Sequence, residues 1–209
     1  MSRCRLPIPT STHAVRRLAH TESPCEEQVC VVFLVDGSGS VTEDDFACMT
    51  QFVATTAEHM AIHHPERNKI CVLQFSNDCR EEIPLQAVNV KSLNAALSSA
   101  YRMNGGTNVS LAIQWAGKVL KDLPPSARRV VALLTDGRID SQQARDARAM
   151  VSALADEQGR VEVHAFGVGR GVDRAELLRV IGGVGSVTAD ADVVASRYVG
   201  LCVLDESPW

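Results

Sequence analysis

No stretch of this chain approaches the roughly 20 consecutive apolar residues that a membrane-spanning helix requires. The basic opening, MSRCRLPIPTSTHAVRRLAH, lacks the apolar core of a secretory signal. The expectation is therefore an intracellular protein or a segment of a longer chain. Basic residues are not in excess: 21 Lys and Arg stand against 25 Asp and Glu, for a net charge of −4. That balance argues against the basic face on which nucleic-acid binding depends. There is no CxxC pair and no Cys/His spacing of a zinc module. There is no Walker lysine, and GVGRG (167–171) lacks the helix and acidic residue of a dinucleotide site.

The cysteines number seven, an odd count that leaves at least one unpaired within the chain. Cys4 and Cys25 precede the first strand, Cys30 lies at its start and Cys202 lies near the end, so a bridge between the two ends and idle thiols are both open readings. Cys71 and Cys79 flank a predicted strand pair, as a bridge or as thiols. His59, His63 and His64 fall at one-turn spacing on a helix end. Solvated histidines are the commoner outcome there than a transition-metal site.

What is present is a regular alternation. The composition, 45% hydrophobic and 22% charged, is that of a globular domain. Residues 1–27 read as a tail or linker, 28–204 as one domain, and 205–209 as a short C-terminal tail. VCVVFLV (29–35) is apolar at every position, the pattern of a strand buried on both faces. Thr42 with Glu43, Asp44 and Asp45 opens a helix whose inner face is Phe46, Met49, Val53, Ala57 and Met60. KICVLQF (69–75) is a strand, and CREEIPLQ (79–86), with Pro84, is an edge strand. Helices are predicted over 90–101, 109–122, 141–158 (closed by Gly159) and 190–204. Another begins at the Asp173/Glu176 capping pair and ends at Gly182–Gly183. Strands are predicted over 128–137, 161–169 and 185–188. This order predicts an α/β fold: a doubly wound, mostly parallel six-stranded sheet with one antiparallel edge strand and helices on both faces.

In such a sheet, ligands bind beyond the carboxyl ends of the strands, where the strand order reverses. The first strand delivers Asp36, Ser38 and Ser40 there, RRVVALL delivers Thr135 and Asp136, and the loop NGGTN (104–108) brings Thr107 to the same rim. Carboxylates and hydroxyls are hard oxygen ligands. They suit Mg²⁺ first, with Mn²⁺ or Ca²⁺ as alternatives, whereas zinc would call for His or Cys. GSGS matches a nucleophile elbow only loosely, and no His lies in a rim loop.

DGSGS (36–40), GGTN (105–108) and LLTDG (133–137), in this order, resemble the metal-ion-dependent adhesion site of the von Willebrand factor type A domain, the integrin inserted-domain type of fold. The likeness covers residues 29–204 or so. It implies that Ser38 and Ser40 coordinate the ion directly. Thr107 would bind directly in the ligand-bound form and through water otherwise. Asp36 and Asp136 would act largely through waters or alternate with Thr107. It further implies an open coordination position that an Asp or Glu of a protein partner fills, with Gly106 and Arg138 as candidate partner-facing residues. For Arg138 a solvated arginine is a commoner outcome than a partner contact. Some members slide the last helix as the metal ligands rearrange, and Val193–Val194 through Leu201–Val203 give this helix an apolar run.

The resulting expectation is a cation-dependent adhesion module, not an enzyme, extracellular or at a cell surface within a larger protein. An intracellular scaffold of the chelatase or copine type is the alternative. A metal-dependent hydrolase is a weaker third reading, with no second metal cluster or base to support it.

Overall fold

The computed structural model describes residues 28–62, 65–158, 161–169, 172–182 and 186–188. Among these, the strands are β1 (Val29–Asp36), β2 (Lys69–Phe75), β3 (Cys79–Ala87), β4 (Arg128–Thr135), β5 (Val161–Gly167) and β6 (Ser186–Thr188). The helices are α1 (Glu43–Ile62), α2 (Val90–Ser99), α3 (Val109–Leu120), α4 (Ser141–Gln158) and α5 (Arg174–Ile181). The sheet runs β3-β2-β1-β4-β5-β6. β1 lies parallel to both β2 and β4, and only β3 runs antiparallel, at the edge where Pro84 is tolerated. Strand order therefore reverses at β1.

β1 sits at that centre because it is apolar on both faces. Cys30, Val32 and Leu34 pack with Ala112, Ile113 and Ala116 of α3, Val151 of α4 and Leu177 of α5. Val31, Phe33 and Val35 pack the other way, against Phe46, Met49 and Val53 of α1 and Leu93 and Leu97 of α2. Alternation along one strand thus builds two cores, one per helical layer. Burying a side chain such as Phe33 contributes about 1.5–3 kcal/mol.

The helix starts follow from capping. Thr42 Oγ1 accepts from the Asp45 amide at 3.1 Å and donates to Asp45 Oδ2 at 2.7 Å. Asp173 Oδ1 caps α5 by accepting from Ala175 N and Glu176 N. Glu176 turns away from that cap to pair with Arg179. α5 closes on Gly182 in the left-handed region, φ 59°.

Several predicted ends shorten. α2 stops at Ser99 because Ala100 turns extended while its N–H closes on Leu97 O, which puts Tyr101 in the following loop. α3 stops at Leu120, β4 at Thr135 and β5 at Gly167. β4 ends early because the Gly137 amide turns back to Thr135 Oγ1 instead of continuing the ladder. Cys71 and Cys79 are both free thiols, and burial, with the Glu81 charge, pushes them up to about 12 and about 11. Cys30 is a buried free thiol. The predicted 1–27 tail, Cys4, Cys25, Cys202, His63, His64, Gly159, Gly183 and the 190–204 helix lie outside the described residues. Among those described, no three His, Cys, Asp or Glu side chains group as a metal cluster, and no helix is long and apolar enough to cross a membrane.

Candidate metal centre

The carboxyl ends of β1 and β4 lie side by side, and Asp36 fastens them together. Its fully buried carboxylate accepts from the Ser38 amide at 2.8 Å through Oδ1 and from Thr135 Oγ1 at 2.6 Å through Oδ2. Thr135 in turn accepts from Gly137 N at 3.1 Å, which sets the course of the TDG turn. The DGSGS loop is then laid along the GGT loop by backbone bonds. Asn104 N donates to Gly37 O at 2.7 Å and Gly39 N donates to Gly105 O at 2.8 Å, with Ser38 and Gly105 bridged. Ser38 Oγ and Ser40 Oγ stand 3.1 Å apart.

Thr107 is half-buried and is placed by its loop. On one side the Gly106 amide donates to Asn77 Oδ1 at 2.9 Å, and on the other Asn108 caps α3. Asp136 follows Thr135 at the end of β4. Its Oδ1 accepts from Arg138 N at 3.0 Å, but its Oδ2 is buried with no hydrogen-bond partner. The Arg138 Nε stands 3.8 Å from that oxygen, and the Arg138 side chain is 63% exposed. Three remote segments therefore meet at one rim, and one buried anionic oxygen there is left without a donor.

The electrostatics point the same way. Burial pushes the Asp36 carboxyl above its ordinary value and the nearby charge of Asp136 adds to this, against the hydrogen bonds from Thr135 and Ser38. A buried carboxyl disfavoured in its charged form, with a second carboxylate nearby, is a place where a cation is favourable. The hydroxyls of Ser38 and Ser40, and that of Thr107 on the adjoining loop, are neutral oxygens of the kind a hard divalent ion takes.

The residues that hold these loops carry no motif. Gln74, fully buried near the end of β2, accepts from Met103 N at 2.7 Å and donates to Tyr101 O at 3.1 Å and Glu82 Oε1 at 2.8 Å. A Cβ on Gly37 would overlap the Gln74 amide, so only glycine lets the loop pass that close. Arg102 spans both loops: its Nη1 donates to Ser38 O at 2.9 Å and to Asn104 Oδ1 at 3.1 Å, while its Nε reaches Glu43. The only sequence signal for Gln74 is a polar residue inside KICVLQF. Arg102 and Asn77 show none.

A doubly wound α/β domain whose strand-order reversal carries a rim of carboxylates and hydroxyls is the class these features define. The von Willebrand factor type A domain family matches residues 31–196. The chain belongs to that family. Matrilin-1 of Bos taurus is 32% identical over 158 residues, which cover 72% of this chain and 28% of matrilin-1. The manganese-loaded TRAP protein of Plasmodium vivax has the same fold, with a TM-score of 0.68 at 20% identity over 84% of this chain and 74% of that one. So does proximal thread matrix protein 1 of the mussel byssus, with a zinc-occupied MIDAS motif, at a TM-score of 0.66 and 20% identity over 85% of this chain and 46% of that one. The chain thus spans well under two thirds of the length of matrilin-1.

Proposed function

We propose that this chain is a protein-binding module of the adhesion type. In this reading Asp36, Ser38, Ser40, Thr107 and Asp136 hold a divalent cation, Mg²⁺ first with Mn²⁺ or Ca²⁺ as alternatives. The observation that carries it is Asp136 Oδ2, buried at the rim with no hydrogen bond. A buried carboxylate oxygen left unpaired costs roughly 1–3 kcal/mol or more, and a cation supplies the missing partner.

The ion supplies Lewis acidity toward an Asp or Glu carboxylate of a partner protein. Ser38, Ser40 and Thr107 contribute neutral oxygens that leave its charge largely uncompensated. Asp36 acts from behind, ordering the Ser38 amide and Thr135. Gly106, exposed beside Thr107, leaves room for the partner, and the exposed guanidinium of Arg138 lies where it can meet the incoming acid. The reading is one of binding, not catalysis. The likeness to matrilin-1, of which the chain spans 28%, supports an extracellular or cell-surface setting within a larger protein.

Calorimetric titration of Mg²⁺ and Mn²⁺ into the wild type and Asp136→Ala tests the centre. Saturable binding by the wild type, weakened at least about 10–100-fold in the variant, is the expected result. Indistinguishable isotherms would remove the reading.

A further inference from the structure

A second feature of the same rim lies where α2 gives way to the loop that carries Gly106 and Thr107. Tyr101 is 71% exposed and belongs to neither core cluster. An aromatic side chain at such a position ordinarily keeps its conformational freedom. This one is held. Its carbonyl accepts from Gln74 Nε2 at 3.1 Å and from Arg80 Nη2 at 2.6 Å. The Arg80 guanidinium lies 4.0 Å from the centroid of its ring. Arg80 is fixed in turn by Glu82 at 2.7 Å, and Glu82 also accepts from Gln74 Nε2.

The core does not require this arrangement. It immobilises an arginine around a ring that stays in water, and exposed aromatics backed by arginine are the residue types that anchor protein interfaces. The same Gln74 packs against Gly37 of the DGSGS loop and accepts from Met103 N, so the ring and that loop share one buried support.

We propose that the Tyr101–Arg80 stack is a second contact of the partner-binding face, taking an apolar or aromatic side chain that neighbours the partner's acidic residue. The inference rests on the cation-centred reading above. The occupant's chemistry follows from the parts. The ring offers a surface for an aromatic or aliphatic group. The acidic residue beside that group is the one the cation-centred reading calls for, since Arg80, Arg102 and Arg138 are each paired with a carboxylate of this chain.

The test uses the full chain with Mn²⁺ to select a displayed random-peptide library, eluted with EDTA. The selected sequences are remade as free peptides and titrated into the wild type, Tyr101→Phe and Tyr101→Ala. The expected peptides carry Asp or Glu beside an aromatic or apolar residue. Tyr101→Ala weakens them about tenfold while Tyr101→Phe stays within about twofold. Mn²⁺ alone binds all three proteins equally. Exchanging the apolar neighbour for Ser weakens binding to the wild type and leaves Tyr101→Ala unchanged. Acidic peptides with no preferred neighbour, or equal affinity for wild type and Tyr101→Ala, overturn the platform alone, whereas no EDTA-released peptide while Mn²⁺ still binds overturns the capture of a partner's carboxylate and the platform with it. Failure of Mn²⁺ to bind the wild type overturns the metal reading and the platform with it.

Discussion

Gly37 and Gln74 occupy the tightest approach at the rim, and each explains the other. Gln74 is buried with three hydrogen bonds, to Met103 N, Tyr101 O and Glu82. A methyl group on Gly37 has to push that amide out of place. Gly37→Ala should therefore cost about 1–3 kcal/mol through overpacking. Gln74→Ala should cost a similar amount by stranding Met103 N. In urea melts the double variant should lose clearly less than the sum, because the alanine at 74 vacates the space that the alanine at 37 needs. Strict additivity would show that the two side chains act separately. The carboxylates and hydroxyls proposed for the centre can be picked out of the sequence because they sit at strand ends and in short loop motifs. Gln74, Asn77 and Arg102 are not, because each acts across a sequence gap that no local periodicity marks. Arg102, for one, bonds Ser38 O from 64 residues away.

The strands most plainly written in the sequence are those buried on both faces. KICVLQF is β2 from its first residue to its last, and VCVVFLV is β1 but for Asp36. An unbroken apolar run has no alternative that buries it as well. Helix ends were less legible: α2 stops two residues short of the predicted 101 because Ala100 closes the turn. Between strands, the sequence also hides a cross-link. Arg128 at the start of β4 donates to Glu162 on β5 through Nε at 2.6 Å and Nη2 at 2.8 Å, with His164 Nε2 3.5 Å from the same carboxylate. Burial would raise the Glu162 carboxyl, yet the His164 and Arg128 hydrogen bonds and charges bring it down from 4.5 to about 2. The folded protein thus binds fewer protons at this site than the unfolded chain. The stability so gained is present above pH 4.5 and is lost as pH falls toward about 2. The Glu162 side chain is 36% exposed, so solvent screening reduces the gain to about 0.5–1 kcal/mol. Glu162→Gln should be less stable by that amount at neutral pH and converge with the wild type near the bottom of that window. Denaturant melts across the acid range measure this, and parallel curves would refute it.

At the scale of the whole molecule, the rim joins what the chain keeps apart. β1 donates the first loop, the connection from α2 to α3 the second, and β4 the third, and β1 is where the two halves of the sheet meet. The stitches between them, such as Asp36 to Thr135 and Asn104 N to Gly37 O, exist only when both halves are folded. A site made this way is absent from the unfolded chain, so any ion it holds favours the folded state by mass action. On the proposed reading, Mg²⁺ or Mn²⁺ at about 100 times its dissociation constant adds about 2.7 kcal/mol. For a chain of this size that raises Tm by roughly 5–10 °C. EDTA should return the transition to the metal-free value. Asp136→Ala should melt at or above the metal-free wild type, since it removes a buried oxygen that has no donor, and should gain nothing from either ion. Differential scanning calorimetry of both proteins, with and without metal, makes the comparison. A wild-type transition that ignores the ion, or an Asp136→Ala transition that rises with it as much as the wild type does, would mean that the three loops converge without forming the cation site.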